Sequence, residues 1–376
     1  MSSTEAPDAY PAALEAAWMD LAREATSAQG EESLERLRPS VERLSDLFTL
    51  QRPAGAFPDY LADPALLAAY GLFFFPQSWT RTGWAMAHAT LRGWRPGRSP
   101  ARVLDLGSGP GSCGLRAARF LSNRGETAGE LHLVDHSAFA LAAADRVGSS
   151  AAPGWTILGR VGDARSPHTW PEGSFDLILA GFVLNELGLD EPGRDAWLEA
   201  AASRLAPEGL LILIEPALRE TAEPLRRLSD RRASVSPLRI GPEVDGSPCP
   251  MLGSEHWDHE VRAWQAPPAT EFLNRKLHRS LGAVRFSQAL FSDASLPPLP
   301  PEAARVVAQP QLIKGLFRLV LSSGGRLRTV EVPTRGWSKR EAKDYAAGFE
   351  RGDLVTVPVG EHRRLASPSE LRRLGP

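Results

Sequence analysis

Cysteine is nearly missing from this chain: Cys113 and Cys249 are the only two in 376 residues. A disulfide framework is excluded, and the usage agrees with a reducing compartment. No run of about twenty apolar residues occurs, which predicts no membrane span, and the acidic, charged amino terminus lacks the basic start of a secretory signal. The expectation is a cytoplasmic protein with no membrane partner. Internal repeats and long low-complexity tracts are missing too. Neither sign of charge dominates, since 43 Lys+Arg face 45 Asp+Glu, and at 43% hydrophobic the chain can bury one large domain with extensions or two modest ones.

That charge is unevenly spread. From Ala217 onward 25 Lys+Arg stand against 18 Asp+Glu, a balance of +7, and the preceding residues hold 18 against 27, or −9. The carboxyl-terminal part is therefore the candidate polyanion-facing surface. Within it Arg226-Arg227 and Arg231-Arg232 lie at helical spacing and suit either phosphate contacts or a solvated helix face.

What is present in abundance is glycine at one place. Val103 to Gly111 reads as a buried strand running into a turn that opens a helix, with glycine at 107, 109 and 111. Such a turn lets backbone approach a ligand with no Cβ between them, and in an open α/β sheet it marks the cofactor crevice. The dinucleotide fingerprint requires a third glycine where this chain has Ser112. Asp105-Leu106-Gly107-Ser108-Gly109-Pro110-Gly111 instead resembles motif I of the class I methyltransferases, which implies S-adenosylmethionine as cofactor.

Four more strand signals follow. Leu131 to Asp135 ends in an acid placed to accept from both ribose hydroxyls, and Val161-Gly162-Asp163-Ala164 offers a second acid for the adenine amino group. Phe175 to Gly181 leads into Phe182-Val183-Leu184-Asn185-Glu186-Leu187, and Leu210 to Ile214 closes with Glu215. Strands separated by helical stretches specify an α/β fold with a doubly wound, mostly parallel, Rossmann-like sheet. Asp105, Gly107, Ser108, Gly109, Gly111, Asp135, His136, Asp163, Ala164, Gly181 and Phe182 are the expected cofactor contacts. Asp105 is equally readable as an acceptor for the turn's own amides, and Asp135 as a helix cap. Cys113 reads as a small core residue.

Around this unit, residues 1–100 are expected to form a helical lid, 101–236 the cofactor-binding core, and 237–376 a carboxyl-terminal α+β module completing it. The aromatics between Tyr60 and Trp94, including Phe73-Phe74-Phe75, suit either core packing or a substrate pocket. Leu316 to Leu321 and Leu327 to Val332 flank Ser322-Ser323-Gly324-Gly325 and predict a hairpin.

The second half carries a further resemblance. Gly241-Pro242-Glu243 with Pro248-Cys249-Pro250-Met251-Leu252, then Ser254-Glu255-His256-Trp257-Asp258-His259, resembles the cysteine-bearing signature of the mitochondrial-type small-ribosomal-subunit methyltransferase-like family. Ala304 to Pro310, Lys314-Gly315, Leu319 to Ser322 and Arg351 to Leu354 match its closing segments in order. The resemblance implies a protein of ribosome assembly that binds S-adenosylmethionine, acts with the small subunit or its rRNA, and carries an iron–sulfur cluster on four cysteines. Here those four positions fall on Glu243, Cys249, Asp258 and Ser322. With one thiolate left, no cluster is expected. Glu243, Asp245, Cys249, His256, Asp258 and His259 could supply mixed ligands, but their spacing fits no standard metal site, and none is assigned.

Methyl transfer asks the protein to align the acceptor and remove its proton. Asn185 is the candidate for orientation, with Glu186, His256 or His259 as base. The turn after the fourth strand lacks both the Asn/Asp-Pro-Pro-aromatic element of exocyclic-amine methylation and a cysteine for cytosine carbon chemistry. A specialised small molecule or peptide therefore stands beside ribosomal RNA as substrate. A catalytically silent assembly factor is the third reading.

Overall fold

The computed structural model describes residues 9–51, 53, 58–236, 238–360 and 363–375, so most of the Pro/Gly connector expected between Gln51 and Pro58 lies outside the described residues, as does Pro237. The chain begins with four helices, α1 (Ala12–Thr26), α2 (Gly30–Phe48), α3 (Pro64–Ala69) and α4 (Phe75–Leu91). Asp63 starts α3 by accepting from the amides of Ala65 at 2.9 Å and Leu66 at 3.3 Å, with Pro64 at the first helical position. A π-helical turn, Tyr70–Phe74, joins α3 to α4. Among the aromatics of this region Phe73, Phe75 and Trp79 are buried in the core, whereas Tyr60 and Tyr70 line a cleft.

Beyond these helices come β1 (Ala101–Leu106), α5 (Ser112–Ser122), β2 (Gly129–Asp135), α6 (Ala138–Ala151), β3 (Trp155–Val161), β4 (Phe175–Gly181), α7 (Glu191–Ala202) and β5 (Leu205–Glu215). The five strands pair in parallel in the order β3-β2-β1-β4-β5. Alternate side chains serve opposite layers. Val103, Leu177, Leu179, Ile212 and Ile214 join the core under α4 and α5, and Leu104, Leu106, Ile178, Leu211 and Leu213 join the core under α7. Apolar burial on both faces explains why these strands read as nearly unbroken hydrophobic runs.

The central sheet continues past the boundary expected at 236. After α8 (Arg219–Arg231) come β6 (Leu238–Gly241), β7 (Glu260–Ala263), α9 (Pro268–Lys276) and β8 (Ala283–Ser292). β8 runs antiparallel beside β5, and both β6 and β7 pair with β8. The remaining strands build a second sheet: β9 (Ala303–Val306), β10 (Gln311–Ile313), β11 (Leu316–Ser323), β12 (Arg326–Pro333), β13 (Leu354–Thr356) and β14 (Arg372–Arg373), with α10 (Lys339–Ala347) against them. β11 and β12 form the expected hairpin, closed by Gly324 and Gly325, both at positive φ as a two-residue turn demands. Phe317, Leu319, Leu321, Val330, Val332 and Val355 fill a core of its own. The segment after 237 thus divides between two sheets.

Candidate functional site

Strand order reverses between β1 and β4, and the carboxyl ends of these strands open a crevice there. The cavity is about 320 Å3, floored by Gly107, Ser108 and Gly109 and walled by Asp135, Asp163, Gly181, Phe182 and Glu186. The turn is fixed by the amides of Gly107 and Ser108, which donate to the carbonyl of Val134 at 2.8 and 3.0 Å. Gly107 stands at φ +66°, and a Cβ there would lie 2.2 Å from Val183. A side chain on Gly109 would project toward open space, its nearest neighbour being Leu61 at 3.9 Å.

Asp135 ties this turn to the next. One carboxylate oxygen accepts from the Gly109 amide at 2.7 Å and the other from the Ser137 amide at 2.9 Å. Burial pushes its pKa up, and the two amides pull it back. The nearby His136 Nδ1 is 3.6 Å away. Across the cleft, Phe182 holds a positive φ of 65° while its amide donates to Ile214 at 2.6 Å. Its ring lies under the Arg81 guanidinium at 5.2 Å, and burial lowers the pKa of that arginine to about 10. Glu186 completes this wall, close enough for its charge to help raise the pKa values of Tyr60 and Tyr70.

The Methyltransferase domain family matches residues 103–209, which span β1 to the start of β5. Residues 103–209 are a methyltransferase domain. It is of the class I type, which uses S-adenosylmethionine. Solved structures similar to the chain include YjhP from E. coli at 21% identity (35% of this chain, 49% of that one, TM-score 0.25). A SAM-dependent methyltransferase from Thiobacillus denitrificans in complex with S-adenosyl-L-homocysteine is 23% identical (38% and 48%, TM-score 0.26). The N-methyltransferase NodS from Bradyrhizobium japonicum WM9, in complex with the same ligand, is 16% identical (58% and 88%, TM-score 0.35). The chain spans about half the length of the first two. No curated protein matches it.

Of the cofactor contacts expected for the methyltransferase domain, Gly107, Ser108, Gly109, Asp135, His136, Asp163, Ala164, Gly181 and Phe182 line the cleft. Two do not. Asp105 lies beneath the turn, where its Oδ2 accepts from the Gly114 amide at 2.7 Å and Oδ1 has no partner among the described residues. Its role is to brace the strand against α5, and burial pushes its pKa up to about 7. Gly111 caps α5 and packs toward Leu115, Leu133 and Ala144. Asp163 reaches the cleft with its carboxylate already paired to Arg165 at 2.9 to 3.1 Å, which lowers its pKa. Sequence reasoning missed Arg165, Ser112, Asp59 and Leu61 as lining residues; the last two come from the turn before α3, which no motif marks.

The candidate catalytic residues fare unevenly. Glu186 alone lines the cleft. Asn185 turns away from the cleft, donating through Nδ2 to the Phe182 carbonyl at 2.9 Å. His256 is exposed on the loop before β7, away from the cleft lining. His259 also lies outside it, with Nδ1 3.2 Å from the Trp257 carbonyl and Nε2 3.0 Å from Arg351. Burial and Arg351 lower its pKa to about 4, and its free lone pair faces a guanidinium donor, so it is not a base. The arginines of α8 are also spoken for: Arg226 is buried against Asp258 at 3.2 Å, while Arg227, Arg231 and Arg232 pair with Glu223, Glu191, Asp195 and Glu199.

The four positions equated with cluster ligands do meet. Ligand atoms of Glu243, Cys249 and Asp258 lie within 4.8 Å of one another, and the Ser322 hydroxyl donates to Glu243 Oε2 at 3.1 Å. Between them stands Arg305 of β9. Its Nη1 donates to both Asp258 oxygens at 2.8 and 2.9 Å and to Glu243 at 3.3 Å, and its Nη2 to Glu260 at 2.8 Å. Asp258 is driven well below the carboxylate range by Arg305 and Arg226 against the opposing effect of burial. An iron–sulfur cluster does not fit: one thiolate is offered where four are needed, and a guanidinium already neutralises the carboxylates.

Proposed function

We propose that this chain transfers methyl from S-adenosylmethionine to small-subunit ribosomal RNA or its assembly intermediate. The observation that carries the RNA reading is the convergence of Glu243, Cys249, Asp258 and Ser322, up to 79 residues apart, in one buried site. Only the resemblance to the small-subunit family singled out those four positions together, and a chance match gives no reason for them to meet.

The cleft supports cofactor binding through its own chemistry. Each Asp135 oxygen spends one lone pair on an amide, leaving a second for a ribose hydroxyl. Gly107 and Gly109 leave the floor open to an extended chain, and Ala164, Phe182 and Leu187 offer apolar surface to a purine. When bound, the cofactor supplies an activated methyl on a sulfonium. Glu186 sits on the wall beside Tyr60 and Tyr70 and is the residue placed to take the acceptor's proton.

The test is transfer of labelled methyl from S-adenosylmethionine into fractionated host extract. Label that pellets with small subunits and is released by ribonuclease is the expected result. Label in a small-molecule or peptide fraction overturns the RNA reading in favour of specialised metabolism. Cofactor binding without transfer makes the chain a silent assembly factor.

A further inference from the structure

The +7 excess of the carboxyl-terminal part has a narrow source. Residues 217–302 are balanced at 11 Lys+Arg against 11 Asp+Glu, whereas residues 303–376 hold 14 against 7. The entire excess therefore belongs to the second sheet and its flanks. Several of its acids are already engaged. Asp353 is buried against Arg262 and Arg373, Glu341 caps α10, and Asp344 pairs with Arg340. Glu331 alone faces Arg318, Arg363 and Arg364 at 2.8, 3.1 and 3.9 Å, one carboxylate for three guanidiniums.

Arg326, Arg328 and Arg363, the last sharing Glu331 with two other arginines, line a groove of about 540 Å3 between the start of β12 and the segment near Gly360. Arg326 is exposed and makes no ion pair among the described residues. Arg328 is held rigidly by donating to the carbonyls of Pro358 and Gly360 at 3.1 and 2.9 Å, and its Nε is buried with no partner. Arg363 projects from the third side with its side chain 67% exposed. Glu302 is the single acid in the lining among the described residues. Leu327 and Val359 are exposed beside them, at 45% and 67%.

We infer that this groove binds the phosphodiester backbone of RNA, gripping the substrate away from the methyl-transfer cleft. The inference rests on the RNA reading above. Arg326, with no ion pair among the described residues, and the positive charge of Arg328 and Arg363 beside it give the concavity a lining suited to successive phosphates. The donor groups that Arg328 and Arg363 do not spend on the Pro358 and Gly360 carbonyls and Glu331 are left to face them. Among the described residues no aromatic ring or side-chain amide lines the groove, so they offer nothing to stack on bases or read their edges. Contact is with the backbone, independent of sequence, and it positions RNA for chemistry done elsewhere.

The full-length protein would be titrated against a fluorescently labelled single-stranded fragment of small-subunit ribosomal RNA and a scrambled fragment of equal length, between 50 and about 200 mM salt. Wild type should bind both alike. R326E/R363E should lose at least about tenfold in affinity, and its salt slope should fall by about 1.4, the share of two phosphates on a single strand. K339E/K343E, an equal charge change on α10 outside the groove, should lose less than about threefold. R326Q/R363Q guards against misfolding of the reversed variant and should show a smaller loss with the same reduced slope. Unchanged S-adenosylmethionine binding in every variant certifies the core. Equal losses in the groove and α10 variants, or none in the groove, would overturn the inference. If methyl enters small-subunit RNA while R326E/R363E binds normally, the groove inference alone fails. If the groove binds RNA but label enters small molecules, the substrate reading alone fails.

Discussion

Replacing Arg305 by methionine tests how the second sheet is held to the methyltransferase core. Arg305 is 1% exposed and is the only guanidinium among the described residues that touches Glu243, Asp258 and Glu260 together. Asp258 retains Arg226 at 3.2 Å and Glu260 retains Arg262 at 2.9 Å. Among the described residues Glu243 keeps the Ser322 hydroxyl as its hydrogen-bond donor and feels Arg226 only at longer range, and its pKa is already raised by burial even with Arg305 present. R305M therefore strands one buried carboxylate and weakens two others, a change that costs about 3–5 kcal/mol. With an unfolding entropy of about 2.1 cal/mol/K per residue, the melting temperature should fall by roughly 5 °C if the chain melts in one step. Hydrogen exchange should speed first in β9, β11 and β13. E243Q introduced into R305M should recover part of the loss by removing the stranded charge, and the deficit of R305M should shrink as pH falls and Glu243 takes a proton. A loss below about 1 kcal/mol, or no recovery by E243Q, would refute the view that this guanidinium is the neutralising centre.

Other outcomes follow from the cleft. D135A deletes the acceptor shared by the Gly109 and Ser137 amides and should weaken S-adenosylmethionine binding roughly thirtyfold, about 2 kcal/mol, by titration calorimetry; unchanged affinity would remove Asp135 from the site. E186Q should cut turnover at least about tenfold with cofactor affinity intact, and full turnover would exclude it as the base. Asp105 has a folded pKa pushed up to about 7 from 3.8. The folded state thus holds a proton that the unfolded chain releases, so this residue makes stability fall as pH rises through that window. D105N, neutral throughout, should match wild type near pH 4 and exceed it near pH 8 by up to about 4 kcal/mol in urea unfolding; a deficit at both pH values would show that the carboxylate itself is required.

Much of the cleft was legible because its geometry is local. A glycine turn and an acid at a strand end are set by neighbours in the chain, and Gly107, Gly109 and Asp135 stand where their order placed them. The five parallel strands were equally plain, since burial on both faces writes itself as apolar runs in Leu177–Leu179 and Leu210–Ile214. Side-chain direction was not legible. Asn185 and Glu186 are adjacent, yet Glu186 lines the cleft while Asn185 turns back to donate to the Phe182 carbonyl. Tyr60 and Tyr70 gave no motif, because a wall contributed by a separate helical segment needs only bulk and a hydroxyl.

By itself, then, the sequence determined the sheet, the crevice and the class of cofactor, because periodicity and turn chemistry act over a few residues. Tertiary structure alone decided which charges are free. Arg226 and Arg305 look in the sequence like any surface arginine, but they are buried against Asp258, whereas Arg326 finds no acid among the described residues. Pairing depends on what lies opposite in space, often tens of residues away, and composition records only the sum.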